Sequence, residues 1–268
     1  MTRPLFLFVH GWAGTPRLWD AVRAALAARG VADADMIAPA LVPAGADGDR
    51  FALTLPSAGA DGPLPLPLAW ERGGKGEGLV LAPRPPAGEG GAHRASDGRV
   101  RETGSEDRRP IIGIGHSLGA AWLLAQGPAL AGFVAINGFT RFSTAADFPA
   151  STPARILATM RRRLLADPDT VRADFYARAG LDLPPGPYDA PALARGLDLL
   201  GSIDARAAFG DFASPHAALC GQDDAIVPPA HSAACFPDPV MVPGAGHALP
   251  LTHADLCADH VLALAARC

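Results

Sequence analysis

With 268 residues, 49% hydrophobic and only 19% charged, the chain carries too much apolar material to be disordered throughout and enough for one sizeable core with an insertion. A formal net charge of -4 shows no basic bias toward nucleic acid, and no apolar stretch is long enough to span a bilayer. The four cysteines, Cys220, Cys235, Cys257 and Cys268, come late and form no C-x-x-C, so neither a zinc site nor a disulfide framework is implied.

Residues 4–9 form an unbroken apolar run of strand length, followed at once by His10-Gly11-Trp12-Ala13-Gly14. The run is shorter than a secretory apolar region and no small-residue cleavage site follows it, so it reads as the first strand of a cytoplasmic protein. Thr15 as N-cap and Pro16 at the first helical position open a helix with Leu18, Trp19, Val22, Ala25 and Leu26 inward, closed by Gly30. Met36-Ile37-Ala38 reads as a second strand. From about residue 41 to 109 Gly, Pro, Ala and Arg crowd the chain without helical periodicity, and residues 57–108 read as a disordered insertion that a protease should cut first.

The apolar run Ile111-Ile112-Gly113-Ile114 leads into Gly115-His116-Ser117-Leu118-Gly119 and then the helix-like residues 120–125; residues 131–137 form a further strand. Three helical patterns follow, over 154–165, from Asp167-Pro168 with Val171 and Phe175 inward, and over 191–200. They read as a helical cap, 141–209, between core segments 1–140 and 210–268. Residues 218–220 and 240–242 are short strands ending in Asp223-Asp224 and in His247. A last helix, begun near Thr252-His253, carries Leu256, Val261, Leu262 and Leu264 inward. Strands alternating with helices imply a mostly parallel sheet covered on both faces.

G-x-S-x-G marks Ser117 as a nucleophile: a serine on a sharp strand-to-helix turn projects its hydroxyl into open space, and the flanking glycines let neighbouring backbone pass. The same pentapeptide also occurs in ordinary loops. An acid turn at Asp223 or Asp224 and then His247 follow in the order Ser, Asp, His, each just past the carboxyl end of a strand, where catalytic groups of an open parallel sheet collect. A metal site built from His247, His253 and His260 lacks a completing Cys or carboxylate cluster.

Gly221-x-x-Asp224-x-x-Val227-Pro228, Gly246-His247 and His10-Gly11-Trp12 resemble the acid turn, terminal histidine and oxyanion turn of the α/β-hydrolase superfamily. The resemblance implies an α/β-hydrolase fold, selects Asp224 as the acid of a Ser117-His247-Asp224 triad, and assigns the oxyanion donors to the N–H groups of Trp12 and Leu118. Trp12 and Trp122 either wall the acyl pocket or pack in the core. No metal or organic cofactor is needed for such chemistry.

Phe139-Thr140-Arg141-Phe142, Asp147-Phe148-Pro149, residues 193–206 and residues 246–253 are similar to stretches of the pimeloyl-acyl-carrier-protein methyl ester esterases of biotin synthesis. That resemblance covers 4–40 and 110–268. It implies an acyl ester substrate presented on an acidic carrier protein, which Arg155, Arg162 and Arg163 would meet, with Arg161, Arg172 and Arg178 widening the basic zone. The D-x-x-G-x-G loop of those esterases is not legible in 41–109. A general short-chain carboxylesterase or thioesterase, and an inactive homologue serving as a binding module, are the alternatives.

Overall fold

Alternation along β1 (Leu5–Val9) sets the layering: Leu5, Leu7 and Val9 join one apolar cluster and Phe6 and Phe8 the other, so the strand is buried on both faces. The structure, a computed structural model, describes residues 3–44, 50–54, 109–182, 184 and 186–268. The insertion expected over 57–108 lies outside the described residues.

After β1 a 3-10 turn, Pro16–Trp19, leads into α1 (Asp20–Ala28). The expected N-cap differs: Thr15 is extended but its side chain makes no capping bond, and proline pre-sets a tight 3-10 turn before the α-helix starts. Leu18, Trp19, Val22 and Leu26 are buried as expected, and the chain leaves through Gly30 at φ 92, a left-handed conformation suited to glycine. β2 (Met36–Ile37) then pairs parallel with β1. Where the sequence showed no regular element, β3 (Ala40–Ala44) and β4 (Arg50–Thr54) form an antiparallel hairpin outside the main sheet, with Leu41 opposite Leu53.

β5 (Ile111–His116) pairs with β1, and α2 (Leu118–Gln126) follows after a single residue. Its Ile-Gly alternation has a packing cause. Ile112 and Ile114 enter the cluster shared with α1, whereas Gly113 and Gly115 point to the opposite face, where a Cβ on Gly115 would lie 2.4 Å from the Ala120 Cα. Glycine therefore lets α2 rest on its own strand. Next come β6 (Gly132–Ile136), α3 (Ala154–Ala166), α4 (Pro168–Ala179) and α5 (Ala190–Ser202). Asp167 and Asp189 accept from Thr170 N–H at 3.2 Å and Ala192 N–H at 2.8 Å, and a proline stands in the first turn of α4 and of α5, so two of these three helices have side-chain caps written in sequence.

The chain closes with α6 (Arg206–Gly210), β7 (His216–Gly221), α7 (Pro229–Cys235), β8 (Val240–Val242), α8 (Leu249–Thr252) and α9 (Ala254–Ala265). The last helix begins two residues later than expected, because Thr252 is held in α8 with its hydroxyl on the Ala248 carbonyl at 3.3 Å. The main sheet runs β2-β1-β5-β6-β7-β8 with every pairing parallel. Helices α1 and α9 cover one face through Val22, Leu26, Val261 and Leu264, each such burial stabilising by about 1.5–3 kcal/mol; α2 covers the other. All six parallel strands thus deliver their following loops to one edge. No helix among the described residues is long and apolar enough to cross a membrane.

Candidate active site

At that edge β5 ends on His116 and α2 begins on Leu118, which leaves Ser117 alone in the turn at φ 54 and ψ -123. A non-glycine residue held there stores about 1–3 kcal/mol of strain, which the surrounding packing must impose. Glycines make the packing feasible: a Cβ on Gly119 would lie 2.2 Å from the Val9 carbonyl oxygen, and one on Gly11 would lie 2.8 Å from the Ser117 Cβ. The loop after β1 therefore presses directly on the serine turn.

Past β7, Asp224 is buried while Asp223 is exposed. One carboxylate oxygen of Asp224 accepts from the N–H groups of Ile226 at 2.7 Å and Val227 at 2.8 Å, and the other accepts from Nδ1–H of His247 at 2.7 Å. A carboxylate on Nδ1 fixes the imidazole tautomer that keeps a lone pair on Nε2. Among the described residues the Ser117 hydroxyl makes no hydrogen bond to that ring. The link between the serine and histidine turns is the residue before Ser117: His116 Nε2–H donates to the His247 carbonyl at 2.8 Å, and the two rings lie 4.6 Å apart.

A residue that the sequence reading missed, Asn137, ties the turns to each other. Standing at the end of β6 at φ 46, it donates through Nδ2 to the carbonyls of Gly246 at 2.8 Å and His247 at 3.0 Å, while its Oδ1 accepts from Gly221 N–H at 2.8 Å. One buried amide thereby clamps the acid turn to the histidine turn. Asn137→Asp keeps the acceptor for Gly221 but sets a carboxylate against two carbonyls; kcat for a p-nitrophenyl ester should fall about 100-fold through misplacement of the histidine. Steady-state kinetics at unchanged circular dichroism check this, and wild-type kcat would refute the clamp.

Burial sets the protonation of the supporting histidines. Desolvation pushes His10 down to about 4 although its ring hydrogen-bonds Gly11 O at 2.9 Å, and its Nε2 accepts from Leu41 N–H at 3.1 Å. Desolvation, reinforced by the nearby His247, holds His116 well below the ordinary histidine value, and desolvation also lowers His231. Above pH 6.5 these rings are neutral in both the folded and unfolded chain. As the pH falls below 6.5 the unfolded chain takes up protons that the folded one refuses, so stability drops. His10 alone removes about 3 kcal/mol by pH 4. Urea midpoints measured from pH 8 to pH 4.5 should decline steadily below pH 6.5; a flat profile would contradict the assignment.

Ser117 opens on a cavity of about 620 Å³. Its roof is the α3–α5 segment, fastened to the loop after β1: Trp12 Nε1–H donates to the Leu193 carbonyl at 2.8 Å, Tyr176 Oη–H donates to the Ala13 carbonyl, and Gly196 leaves room for the Trp12 ring. Trp12 lines this cavity, whereas Trp122 packs in the core. Of the arginines read as a docking face, Arg155, Arg163 and Arg178 line the cavity and Arg162 stands outside it, hydrogen-bonded to Thr159 Oγ1 at 3.3 Å. The expected basic zone is narrower than the sequence implied. Arg161 is paired with Asp198 at 2.8 Å, Arg163 with Asp174 at 3.3 Å, and Arg172 is buried with its guanidinium 3.6 Å from the Tyr188 ring centre. Among the described residues no cluster of three or more His, Cys, Asp or Glu could hold a metal ion.

The family model described as "Alpha/beta hydrolase family" matches residues 6–260. The chain belongs to that family. This alpha/beta hydrolase also matches solved structures across nearly its full length. It is similar to an esterase from Exiguobacterium antarcticum at 10% identity and TM-score 0.59, covering 99% of this chain and 93% of the other. A hydrolase from Pseudomonas aeruginosa PA01 matches at 17% identity and TM-score 0.58, covering 98% and 89%, and a bromoperoxidase from Bacillus anthracis at 16% and 0.56, covering 98% and 92%. At such identities the likeness is one of fold. A search of curated protein sequences finds no match.

Proposed function

We propose that this alpha/beta hydrolase is a serine carboxylesterase. The observation that carries the reading is the buried 2.7 Å bond between Asp224 and His247, on a histidine turn gripped by the residue next to a strained Ser117. His247 Nε2 takes the proton as Ser117 Oγ attacks the ester carbonyl, and Asp224 stabilises the imidazolium. The N–H groups of Trp12 and Leu118 receive the oxyanion; Leu118 opens α2, whose first-turn amides have no upstream carbonyl within the helix. Each such donor contributes about 2.7–4 kcal/mol to the chemical step. Collapse of the intermediate breaks the bond to the leaving oxygen, which receives the proton from His247. Water, deprotonated by the same ring, then frees the acid and restores the serine.

The α3–α5 segment acts as the cap over this reaction. A narrower reading takes the substrate to be the methyl ester of a pimeloyl chain on an acidic acyl-carrier protein; Arg155 and Arg163 among the residues lining the Ser117 cavity support it. Turnover of p-nitrophenyl butyrate with an acyl-enzyme burst tests the broad reading. Comparing the carrier-bound methyl ester at low and high salt, in wild type and Arg155→Glu/Arg163→Glu, tests the narrow one. A KM for the carrier substrate insensitive to salt and to both substitutions would remove carrier docking and leave the general carboxylesterase.

A further inference from the structure

Two cavities meet at the site. The larger holds Ser117 and is walled by Leu157, Met160, Val171, Leu197 and Leu200. The smaller, about 320 Å³, holds His116 and His247 and is walled by Thr15, Arg17, Leu18, Leu181, Asp182 and Leu251. Ser117 lines only the first and His247 only the second, while Trp12 and Phe175 line both. The rings of that pair stand edge to face with centroids 4.7 Å apart, so they form the partition.

The chemistry gives each chamber its occupant. In the tetrahedral intermediate the reacting carbon bears Ser117 Oγ, the oxyanion, the acyl carbon and the leaving oxygen. His247 must reach Oγ to take the proton and the leaving oxygen to return it, so the leaving oxygen stands on the imidazole side. The acyl carbon is thereby directed to the other side of the partition. We infer that the smaller chamber is the alcohol subsite and the larger the acyl subsite, an assignment that rests on the serine-esterase reading. Methanol, roughly twice the 30 Å³ of a liquid water molecule, would still leave most of the alcohol chamber empty, which favours the general carboxylesterase over the methyl-ester reading. The chamber fits an amphiphilic alcohol of several carbons, its chain against Leu18, Leu181 and Leu251 and its polar end toward Thr15, Arg17 and Asp182.

The test uses two ester series of comparable intrinsic reactivity: methyl, butyl and 4-hydroxybutyl butyrate, and methyl acetate, butyrate and octanoate. Wild-type kcat/KM should rise at least tenfold from methyl to 4-hydroxybutyl butyrate. Leu181→Trp, which fills the smaller chamber, should cut that alcohol ratio tenfold or more, and Met160→Trp in the larger one should instead cut the octanoate-to-acetate ratio. The same preparations are titrated with a fluorophosphonate. Labelled protein with no gain from larger alcohols, or with Leu181→Trp altering the acyl ratio, overturns the chamber assignment alone. Protein that does not label overturns the esterase reading and this assignment with it.

Discussion

Ser117→Ala should lower kcat for p-nitrophenyl butyrate by about 10⁵- to 10⁶-fold, with a melting temperature close to wild type. The two halves of this expectation have separate causes. Alanine keeps the Cβ that abuts Gly11 and meets the same strain at φ 54, so the turn is neither relieved nor crowded. The hydroxyl makes no hydrogen bond among the described residues, so its removal leaves no partner buried and unsatisfied. Chemistry, in contrast, loses its nucleophile outright, and the amides of Trp12 and Leu118 are left to stabilise a much slower attack by water. Steady-state kinetics beside thermal unfolding check both halves; retention of even a hundredth of the wild-type rate would place the nucleophile elsewhere.

Asp224→Asn should reduce kcat by about 10⁴-fold through a proton on the wrong nitrogen. The amide is nearly isosteric, and its oxygen can still accept from Ile226 and Val227, so the acid turn keeps its shape. Its NH₂ group then faces Nδ1 of His247 and turns that atom into an acceptor. The imidazole proton moves to Nε2, and the lone pair needed to deprotonate Ser117 is lost. The substitution also exchanges a buried charge-assisted bond for a neutral one, at a stability loss of about 1–2 kcal/mol. The rate of fluorophosphonate labelling should fall in parallel with kcat. A variant that labels at the wild-type rate would deny Asp224 any part in activating the serine.

The core strands were legible because parallel strands covered on both faces must be apolar almost continuously, as residues 5–9 and 132–136 are. Ser117 stood out because it follows such a run at once, and Asp224 and His247 because the turns just past β7 and β8 carry them in recognisable motifs and in the order Ser, Asp, His. The same signal was present at Asn137, which ends the run 132–136, but a lone asparagine after a strand has no motif to single it out, and its value lies in three backbone partners that only folding supplies. His116 was hidden inside the serine pentapeptide, where the identity of the variable position carries no rule.

Elsewhere tertiary context overrode the local pattern. The β3–β4 hairpin escaped notice because Pro43 inside its first strand and the Gly and Asp residues between its strands obscure the alternation of Leu41, Phe51 and Leu53. Arginine spacing along α3 and α4 predicted a broad basic face, yet burial of Arg172 against Tyr188 depends on how the segment before α5 folds back, which helical periodicity does not encode.

The most direct measurement is the mapping of a fluorophosphonate adduct by peptide mass spectrometry on the wild-type chain, Asp224→Asn and Ser117→Ala. The account predicts one adduct, on Ser117, formed far more slowly in Asp224→Asn and missing from Ser117→Ala. An adduct on a different residue, or a folded wild-type chain that takes none, would contradict it.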